Sequence, residues 1–193
     1  MELTPDLLLS AYSQGLFPMA HEDGAIYWYD PDPRAIIPLE GFHVPRSLAR
    51  AIRRGGFEIR FDSAFRRVMT ACATPGPGRE TTWISPVMID AYCELHRFGF
   101  AHSVETWVEG QLAGGLYGVS LQGLFAGESM FSRVRDSSKI ALVHLVERLK
   151  AGGFCLLDTQ FMTEHLRQFG AIEITREEYK ARLARALTVS AQF

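Results

Sequence analysis

The stretch GVSLQGLFAGESMF, residues 118–131, places two apolar runs on either side of a Gln-Gly pair. Apolar runs of strand length separated by a two-residue turn containing glycine are typical of a β-hairpin. A third such run, residues 101–108, comes just before and is joined to the second by a Glu-Gly pair. The sequence therefore predicts an antiparallel meander of three strands at residues 101–108, 111–120 and 124–131.

A helix and a further strand follow this meander. Residues 137–150 repeat apolar side chains at helical spacing before a Gly-Gly pair, and the run FCLLDTQ at 154–160 reads as a buried strand. A meander followed by a strand-helix-strand crossover predicts an α+β fold with a mixed, mainly antiparallel sheet, an order that resembles the GNAT-type acyltransferase fold. Further elements are predicted as a helix at 86–98, a short helix at 163–169, a strand at 171–174 and a last helix from Thr175.

The N-terminal part of the chain has a different character. Thr4 suits a helix N-cap and Gly15 suits the stop of that helix. The segment 16–38 contains four prolines and several aromatic residues, which predicts an irregular, packed surface segment. We therefore expect a small N-terminal domain at residues 1–35 and a GNAT-like domain at residues 36–193.

The composition is that of an ordinary globular protein, with 193 residues, 47% of them hydrophobic and 22% charged. The formal net charge of −2 does not point to a polyanion as partner. Cys72, Cys93 and Cys155 show no paired spacing, which argues against a disulfide framework and a structural zinc site. Neither a signal peptide nor an apolar run of membrane-spanning length is present, so we expect a cytoplasmic protein without a membrane partner.

One segment departs from the overall charge. Residues 46–67 contain seven arginines against Glu58 and Asp62, a local charge of +5, so the rest of the chain carries −7. Two interpretations fit this segment: a solvated helical face, or a contact with a phosphate backbone.

Polar residues occur in two of the predicted strands, one of them at the strand end. Asp158 and Gln160 are two residues apart, so a regular strand points both side chains to the same face, and Glu128 lies within the apolar run of another strand. Ligands of open α/β sheets bind beyond the carboxyl ends of strands, so we expect these three side chains in one cleft. The competing interpretations are a solvent-facing glutamate and an aspartate that forms a turn or a helix cap. The apolar residues expected around the cleft are Leu116, Phe125, Met130, Leu142, Leu145, Leu149 and Leu157.

The segment SRVRDSSK, residues 132–139, argues against coenzyme A as a cofactor. A GNAT-type enzyme cradles the pyrophosphate with a glycine-containing loop at this place, and the segment has no glycine. The histidines show no ligand spacing, and neither Ser129 nor Cys155 lies in the context of a nucleophile. We therefore predict neither a cofactor nor a metal.

Several blocks of the sequence resemble a known family. These blocks are AYSQGLFPM, WYDPDPRAIIP, TWI, AYCELHRFGFAHSVETW, LAGGLYGVSLQGLFAGESMFS, SSKIAL and LLDTQF, the last followed by FGA. Their order and spacing from about residue 10 to 176 are similar to those of the leucyl/phenylalanyl-tRNA–protein transferase family.

This resemblance implies an aminoacyltransferase of the bacterial N-end rule. The enzyme moves leucine or phenylalanine from its tRNA to the α-amine of a protein that begins with arginine or lysine. An aminoacyl ester as donor explains why the coenzyme A loop is missing. The partners implied are aminoacyl-tRNA and the acceptor protein, and we expect a monomer.

The resemblance also implies roles for individual residues. Asp158 and Gln160 match the catalytic pair, and Glu128 matches a glutamate of the cleft. Trp83 matches an aromatic residue that contacts the terminal adenosine, while Met19 stands where a stacking tryptophan occurs in relatives. The implied donor pocket comprises Leu116, Met130, Leu142, Leu145, Leu149 and Leu157. We expect Phe17 and Phe125 to contact the substrate as well. The implied tRNA contacts are Arg46, Arg50, Arg53 and Arg54.

A mechanism follows as a hypothesis. Asp158 accepts a hydrogen bond from the Gln160 amide, the Gln160 carbonyl then faces the attacking amine, and Glu128 holds an ammonium group. Two alternatives stay open on the sequence: an N-acetyltransferase that uses acyl-coenzyme A, and an RNA-binding module without catalysis.

Overall fold

The computed structural model describes residues 3–21, 23–75 and 81–193. The helices and strands of these residues, in chain order, are α1 (Pro5–Ser13), β1 (Phe17–Ala20), β2 (Ile26–Tyr29), β3 (Arg34–Ile37), α2 (Arg46–Arg54), β4 (Glu58–Phe61), α3 (Phe65–Ala73), α4 (Pro86–Arg97), β5 (Ala101–Val108), β6 (Gln111–Leu121), β7 (Leu124–Ser132), α5 (Ser137–Ala151), β8 (Leu156–Gln160), α6 (Glu164–Arg167), β9 (Ile172–Ile174) and α7 (Arg176–Ala186).

The main sheet has seven strands in the order β4-β5-β6-β7-β8-β3-β9, and β1 pairs with β2 in a separate hairpin. All neighbouring strands of the main sheet are antiparallel except β7 and β8, which are parallel. The predicted mixed, mainly antiparallel sheet is therefore confirmed. α5 connects β7 to β8. Because these two strands are parallel, their carboxyl ends lie at the same edge of the sheet.

Helices cover both faces of this sheet. On β6, Leu116 packs against the α5 side and Tyr117 against the side of α1, α3 and α4, as strand alternation requires. On β8, Leu157 packs on the α5 side while Leu156 packs against α7. The sheet is therefore the middle layer of the fold, with a core on each side.

Local signals account for the elements that the sequence predicts well. The Thr4 and Ser85 side chains accept hydrogen bonds from the main-chain N–H groups of Leu7 and Met88, which caps α1 and α4. The Glu-Gly and Gln-Gly turns of the meander place Glu109 and Gln122 at φ values of 48° and 54°. The meander, α5 and β8 are confirmed within a few residues at their ends.

The prediction for residues 16–38 was wrong. The structure has the β1–β2 hairpin here, followed by β3, whose four residues are all buried. β3 pairs with β8 on one side and β9 on the other, and both partners lie more than a hundred residues further along the chain. A four-residue strand between prolines has no local signature, because its pairing depends on distant segments. The domain boundary after residue 35 remains a prediction.

Across the ranges that the structure describes, no helix has both the length and the apolar character needed to cross a bilayer.

Candidate active site

A cavity of about 750 Å³ lies beside the carboxyl ends of β7 and β8, between the sheet and α5. One part of its wall is apolar and comes from the strands, α5 and α6. The apolar residues of that part are Leu116, Met130, Leu142, Leu145, Leu157 and Leu166. The cavity is also lined by Phe17 and Met19 of β1, by Trp83 just before α4, by Glu128 in the middle of β7 and by Gln160 at the end of β8.

The structure thus brings most of the predicted pocket residues together, but not all of them. Phe125 does not line the cavity; its ring centroid lies 5.5 Å from that of Phe193 and 6.3 Å from that of Phe154. Leu149 is fully buried in the core beyond the cavity, one helical turn after Leu145 on α5. Phe125 precedes Glu128 by three residues on β7 and belongs to the opposite end of that strand.

Glu128 is part of a hydrogen-bonded chain with two tyrosines and Gln160. The Tyr12 hydroxyl donates to Glu128 Oε1 at 2.7 Å, and the Tyr12 oxygen is in turn hydrogen-bonded to the Tyr92 hydroxyl. The Gln160 side-chain Nε2 donates to the same Oε1 at 3.3 Å. Among the described residues, nothing donates to Glu128 Oε2 or to the Gln160 side-chain carbonyl, so a ligand in the cavity has two acceptors available.

The environment of Glu128 favours its neutral form. Burial raises the pKa of Glu128 to about 8, and the nearby negative charge of Asp158 acts in the same direction. The hydrogen bond from Tyr12 and the positive charge of Arg34 oppose this rise in the pKa but do not cancel it. Near pH 7 the carboxyl is therefore mostly neutral when no cation lies beside it, and a cationic ligand at Oε2 favours the carboxylate, whose Oε2 then accepts a hydrogen bond.

Asp158 has the opposite environment. Arg34 donates to Asp158 through Nε at 2.9 Å and through Nη2 at 2.6 Å, and Tyr179 donates its hydroxyl at 2.9 Å. Burial lowers the pKa of Arg34, but the hydrogen bonds and charge of Asp158 outweigh this and raise it above its usual range. Asp158 is completely buried and does not line the cavity. Its hydrogen-bond partners are all protein donors, and it lies outside the space that a substrate can reach.

The expected hydrogen bond between Asp158 and the Gln160 side chain is absent from the described contacts. The main-chain N–H of Gln160 donates to Asp158 Oδ1 at 2.9 Å instead, while the side-chain amide reaches Glu128. The register of β3 against β8 explains the difference: Ala35 pairs with Gln160 and Ile36 with Asp158, so Thr159 is an extra residue. This β-bulge breaks the alternation of the strand. The prediction that both side chains share a face was therefore wrong.

The arginines predicted to contact tRNA form a stripe on α2. Arg46, Arg50, Arg53 and Arg54 are all exposed, and none forms an ion pair with the described residues. The spacing of four, three and one residues places them on one face, opposite the buried Leu48. The stripe is a concentration of positive charge without acidic neighbours.

Sequence reasoning missed four residues that connect to the candidate catalytic groups: Tyr12, Arg34, Tyr92 and Tyr179. Arg34 stands in the block DPDPRAII, where nothing local distinguishes a buried arginine from an exposed one. The tyrosines lie on helices at positions that also suit an ordinary core residue. Only the packing of α1, α4 and α7 against the sheet brings their hydroxyl groups to the strand ends.

In the described part of the chain, no group of three or more histidine, cysteine, aspartate or glutamate side chains lies close enough together to hold a metal ion.

Comparison with known proteins gives two matches to family models. Residues 36–184 match the family described as leucyl/phenylalanyl-tRNA protein transferase, and residues 1–32 match the N-terminal domain of the same family.

Two relatives of high sequence identity agree with these matches. A protein of Herpetosiphon aurantiacus named leucyl/phenylalanyl-tRNA–protein transferase is 64% identical over 99% of this chain and 98% of its own length. A protein of the same name from Phenylobacterium zucineum is 63% identical over 96% of this chain and 85% of its own length. A solved structure of L-PGS from Bacillus licheniformis aligns with a TM-score of 0.49 at 13% identity, covering 81% of this chain and 65% of the other. On the family models and the close relatives, the chain belongs to the leucyl/phenylalanyl-tRNA protein transferase family.

Proposed function

We propose that this protein transfers leucine or phenylalanine from aminoacyl-tRNA to the N-terminal α-amine of proteins that begin with arginine or lysine. The observation that carries the proposal is a cavity with an apolar wall on one side and two open acceptors, Glu128 Oε2 and the Gln160 carbonyl, on the other. An aminoacyl ester presents the matching groups, since it has an apolar side chain next to an amine and a reactive carbonyl.

The apolar wall selects the donor. Leucine and phenylalanine have no branch at Cβ, whereas valine and isoleucine do, so a pocket with a narrow entrance rejects the branched side chains by shape. Leu142 and Leu145 of α5 face Leu116, Met130 and Leu157 of the sheet across this space. Discrimination by apolar fit is worth ~1–3 kcal/mol per methylene, so we expect some use of methionine as donor.

The reaction is aminolysis of an ester that is already activated, so positioning matters more than strong acid-base catalysis. The nitrogen of the acceptor amine attacks the carbonyl carbon, the new N–C bond replaces the ester C–O bond, and the amine proton ends on the departing ribose oxygen. An N-terminal amine has a pKa of about 8, so a useful fraction is neutral at the pH of the cell.

Gln160 and Glu128 have complementary roles in this step. The Gln160 carbonyl accepts a hydrogen bond from the attacking amine and stabilises the positive charge that develops on nitrogen. Glu128 holds the ammonium group of a substrate, because an ammonium at Oε2 lowers the pKa of this carboxyl and favours its charged form. The hydrogen bond from the Gln160 amide to Glu128 fixes the positions of the two groups relative to each other.

The arginine stripe on α2 binds the tRNA. Four exposed arginines without acidic partners suit a phosphate backbone. When they neutralise phosphates, the tRNA releases condensed counterions, so binding depends on salt. We expect Arg50→Gln and Arg53→Gln to weaken tRNA binding at low salt and to lower the slope of log affinity against log salt by roughly 1 each. A slope equal to that of the wild type in both variants would remove the stripe from the interface.

The fold assignment and the cellular setting belong to the same proposal. The meander β5–β7, the α5 crossover and the parallel β8 support a GNAT-like transfer domain at residues 36–193 with a small N-terminal domain at 1–35. We place the enzyme in the cytoplasm, because charged tRNA is its donor. We also propose that it acts as a monomer.

A transfer assay tests the function directly. Radiolabelled Leu-tRNA and a protein beginning with arginine are incubated with and without the enzyme, and label in the protein is measured. We expect enzyme-dependent transfer, and a loss of roughly 100-fold in kcat for Gln160→Ala. Gln111→Ala, an exposed glutamine at the start of β6, is the matched control and should transfer at the wild-type rate. No transfer, together with thermal protection by coenzyme A, would favour an acyl-coenzyme A enzyme instead.

A further inference from the structure

The acceptor positions of Asp158 are all occupied by protein donors. A carboxylate has about four lone-pair sites. Oδ1 accepts from Arg34 Nε and from the main-chain N–H of Gln160, both at 2.9 Å. Oδ2 accepts from Arg34 Nη2 at 2.6 Å and from the Tyr179 hydroxyl at 2.9 Å. Asp158 is also completely buried, so it has no site left for a substrate proton.

Arg34 is held from several sides. Its Nη1 donates to the Gly15 main-chain carbonyl at 2.9 Å, which ties the guanidinium to the segment before β1. The guanidinium carbon lies 4.2 Å from the centroid of the Tyr179 ring and 4.9 Å from that of the Phe17 ring. Contacts of this kind between a guanidinium and aromatic rings add to the ion pair when they are buried. Arg34 therefore has one orientation, and it presents a rigid pair of N–H donors to Asp158.

The effect of this arrangement appears at Gln160. The φ angle of Gln160 is +61°, in the left-handed region that costs a residue with a side chain ~1–2 kcal/mol. The hydrogen bond from its main-chain N–H to Asp158 Oδ1 compensates this cost. In this conformation the Gln160 side chain lines the cavity and reaches Glu128. A rotated backbone would point the same side chain elsewhere.

We propose that Arg34 and Tyr179 are positioning residues for the transfer reaction, acting through Asp158 to fix the Gln160 main chain in the conformation that directs its side chain into the cavity. The proposal rests on the function proposed above and assigns Asp158 the role of a buried anchor. Gln160 touches the substrate; Arg34, Asp158 and Tyr179 do not.

The test uses Tyr179→Phe, which removes one donor to Asp158 but keeps the ring over Arg34. We expect kcat for transfer to fall roughly 10-fold, because small displacements of a reacting group are costly, while KM for Leu-tRNA stays near the wild-type value. The variant is also made in the Gln160→Ala background. If Tyr179 acts through Gln160, the double variant is no slower than Gln160→Ala alone.

Leu183→Val is the matched control. Leu183 lies one turn further along α7, is buried in the same apolar cluster, and its side chain has no donor for Asp158. This substitution loosens α7 without touching the hydrogen bonds, so kcat should stay near the wild-type value. Arg34→Lys is a second test, since a lysine keeps the charge but loses the two-pronged donor; we expect it to lower kcat at least as far as Tyr179→Phe.

Several outcomes would overturn the inference. A wild-type kcat for Tyr179→Phe, an equal loss for Leu183→Val, or an additive loss in the Gln160→Ala background would each contradict a role through Gln160. If Gln160→Ala is slow while Tyr179→Phe is normal, this inference fails and the proposed function stands. If Gln160→Ala transfers at the wild-type rate, the proposed role of Gln160 fails and the positioning role fails with it.

Discussion

Glu128 and Asp158 are two carboxyl groups on the neighbouring parallel strands β7 and β8, but they differ in their hydrogen-bond partners and in their access to the cavity. Asp158 is sealed in the protein with a guanidinium and a tyrosine hydroxyl as partners. Glu128 lies at the wall of a cavity, and its Oε2 has no donor among the described residues. The comparison teaches that the hydrogen-bond partners of a carboxyl group, together with its access to the cavity, decide its role. A fully paired group is an anchor, and a partly paired group remains free to bind.

The largest expected effect comes from breaking the sealed pair. Asp158→Ala removes both charge-assisted hydrogen bonds of the buried Arg34 guanidinium. Among the described acidic side chains it leaves only the longer contact with Asp30 at 3.8 Å, so we expect the free energy of unfolding to fall by ~3–5 kcal/mol. Urea unfolding measures this change. Glu128→Gln is the comparison variant on the cavity side. It replaces a carboxyl that is already mostly protonated with a neutral amide, so we expect a smaller loss in the free energy of unfolding. A loss as large as that of Asp158→Ala would contradict the difference between the two groups.

The pH dependence of stability sharpens the same contrast. The pKa of Glu128 is about 8 in the folded state, above its value in the unfolded chain. The folded protein therefore holds a proton that the unfolded chain releases, and Glu128 lowers stability as the pH rises from about 5 to 8. Relative to Glu128→Gln, the wild type should lose at most ~1.4 kcal/mol per pH unit over this window. Unfolding curves at several pH values measure the two slopes, and parallel slopes would be inconsistent with the raised pKa.

A third prediction compares the cavity wall with the core next to it. Leu145→Phe adds a ring into the cavity, so we expect stability to change little and the use of phenylalanine relative to leucine to drop ~10-fold in kcat/KM. Leu149→Phe, one turn later in the closed core, should instead destabilise the protein by ~1–3 kcal/mol and leave the donor ratio unchanged. Transfer assays with Leu-tRNA and Phe-tRNA, together with urea unfolding, separate the two. An altered ratio in both variants would show that the cavity does not set donor choice.

The smallest effect is expected at an exposed arginine. Arg50→Gln removes a charge without an ion-pair partner, so the free energy of unfolding should change by less than ~0.5 kcal/mol. The buried Arg34 gives the opposite limit, because its loss leaves Asp158 uncompensated. Thermal unfolding of the two variants side by side measures the difference, and a large loss for Arg50→Gln would mean that α2 has a structural partner.

Much of the fold and part of the site follow from local sequence. The Glu-Gly and Gln-Gly turns, the capped helices and the alternating runs of β5 to β7 are encoded within a few residues of each element. Most of the apolar wall was also predictable, because the strand and helix periodicities identify the buried side of each element. The residues predicted in this way are Leu116, Met130, Leu142, Leu145 and Leu157. The periodicity predicts which side of a strand or helix is buried, but not which part of its length borders the cavity. Phe125 and Leu149 were therefore included although they lie outside it.

By itself, the sequence determined the meander, the crossover that makes β7 and β8 parallel, and the presence of Glu128, Asp158 and Gln160 on these two strands. Only the tertiary structure decided which of these side chains enters the cavity. β3 inserts between β8 and β9, creates the bulge at Thr159 and brings Arg34 to Asp158. Pairing between strands more than a hundred residues apart depends on the whole sheet, so the direction of a side chain at a bulge is set by distant partners and not by its neighbours in sequence.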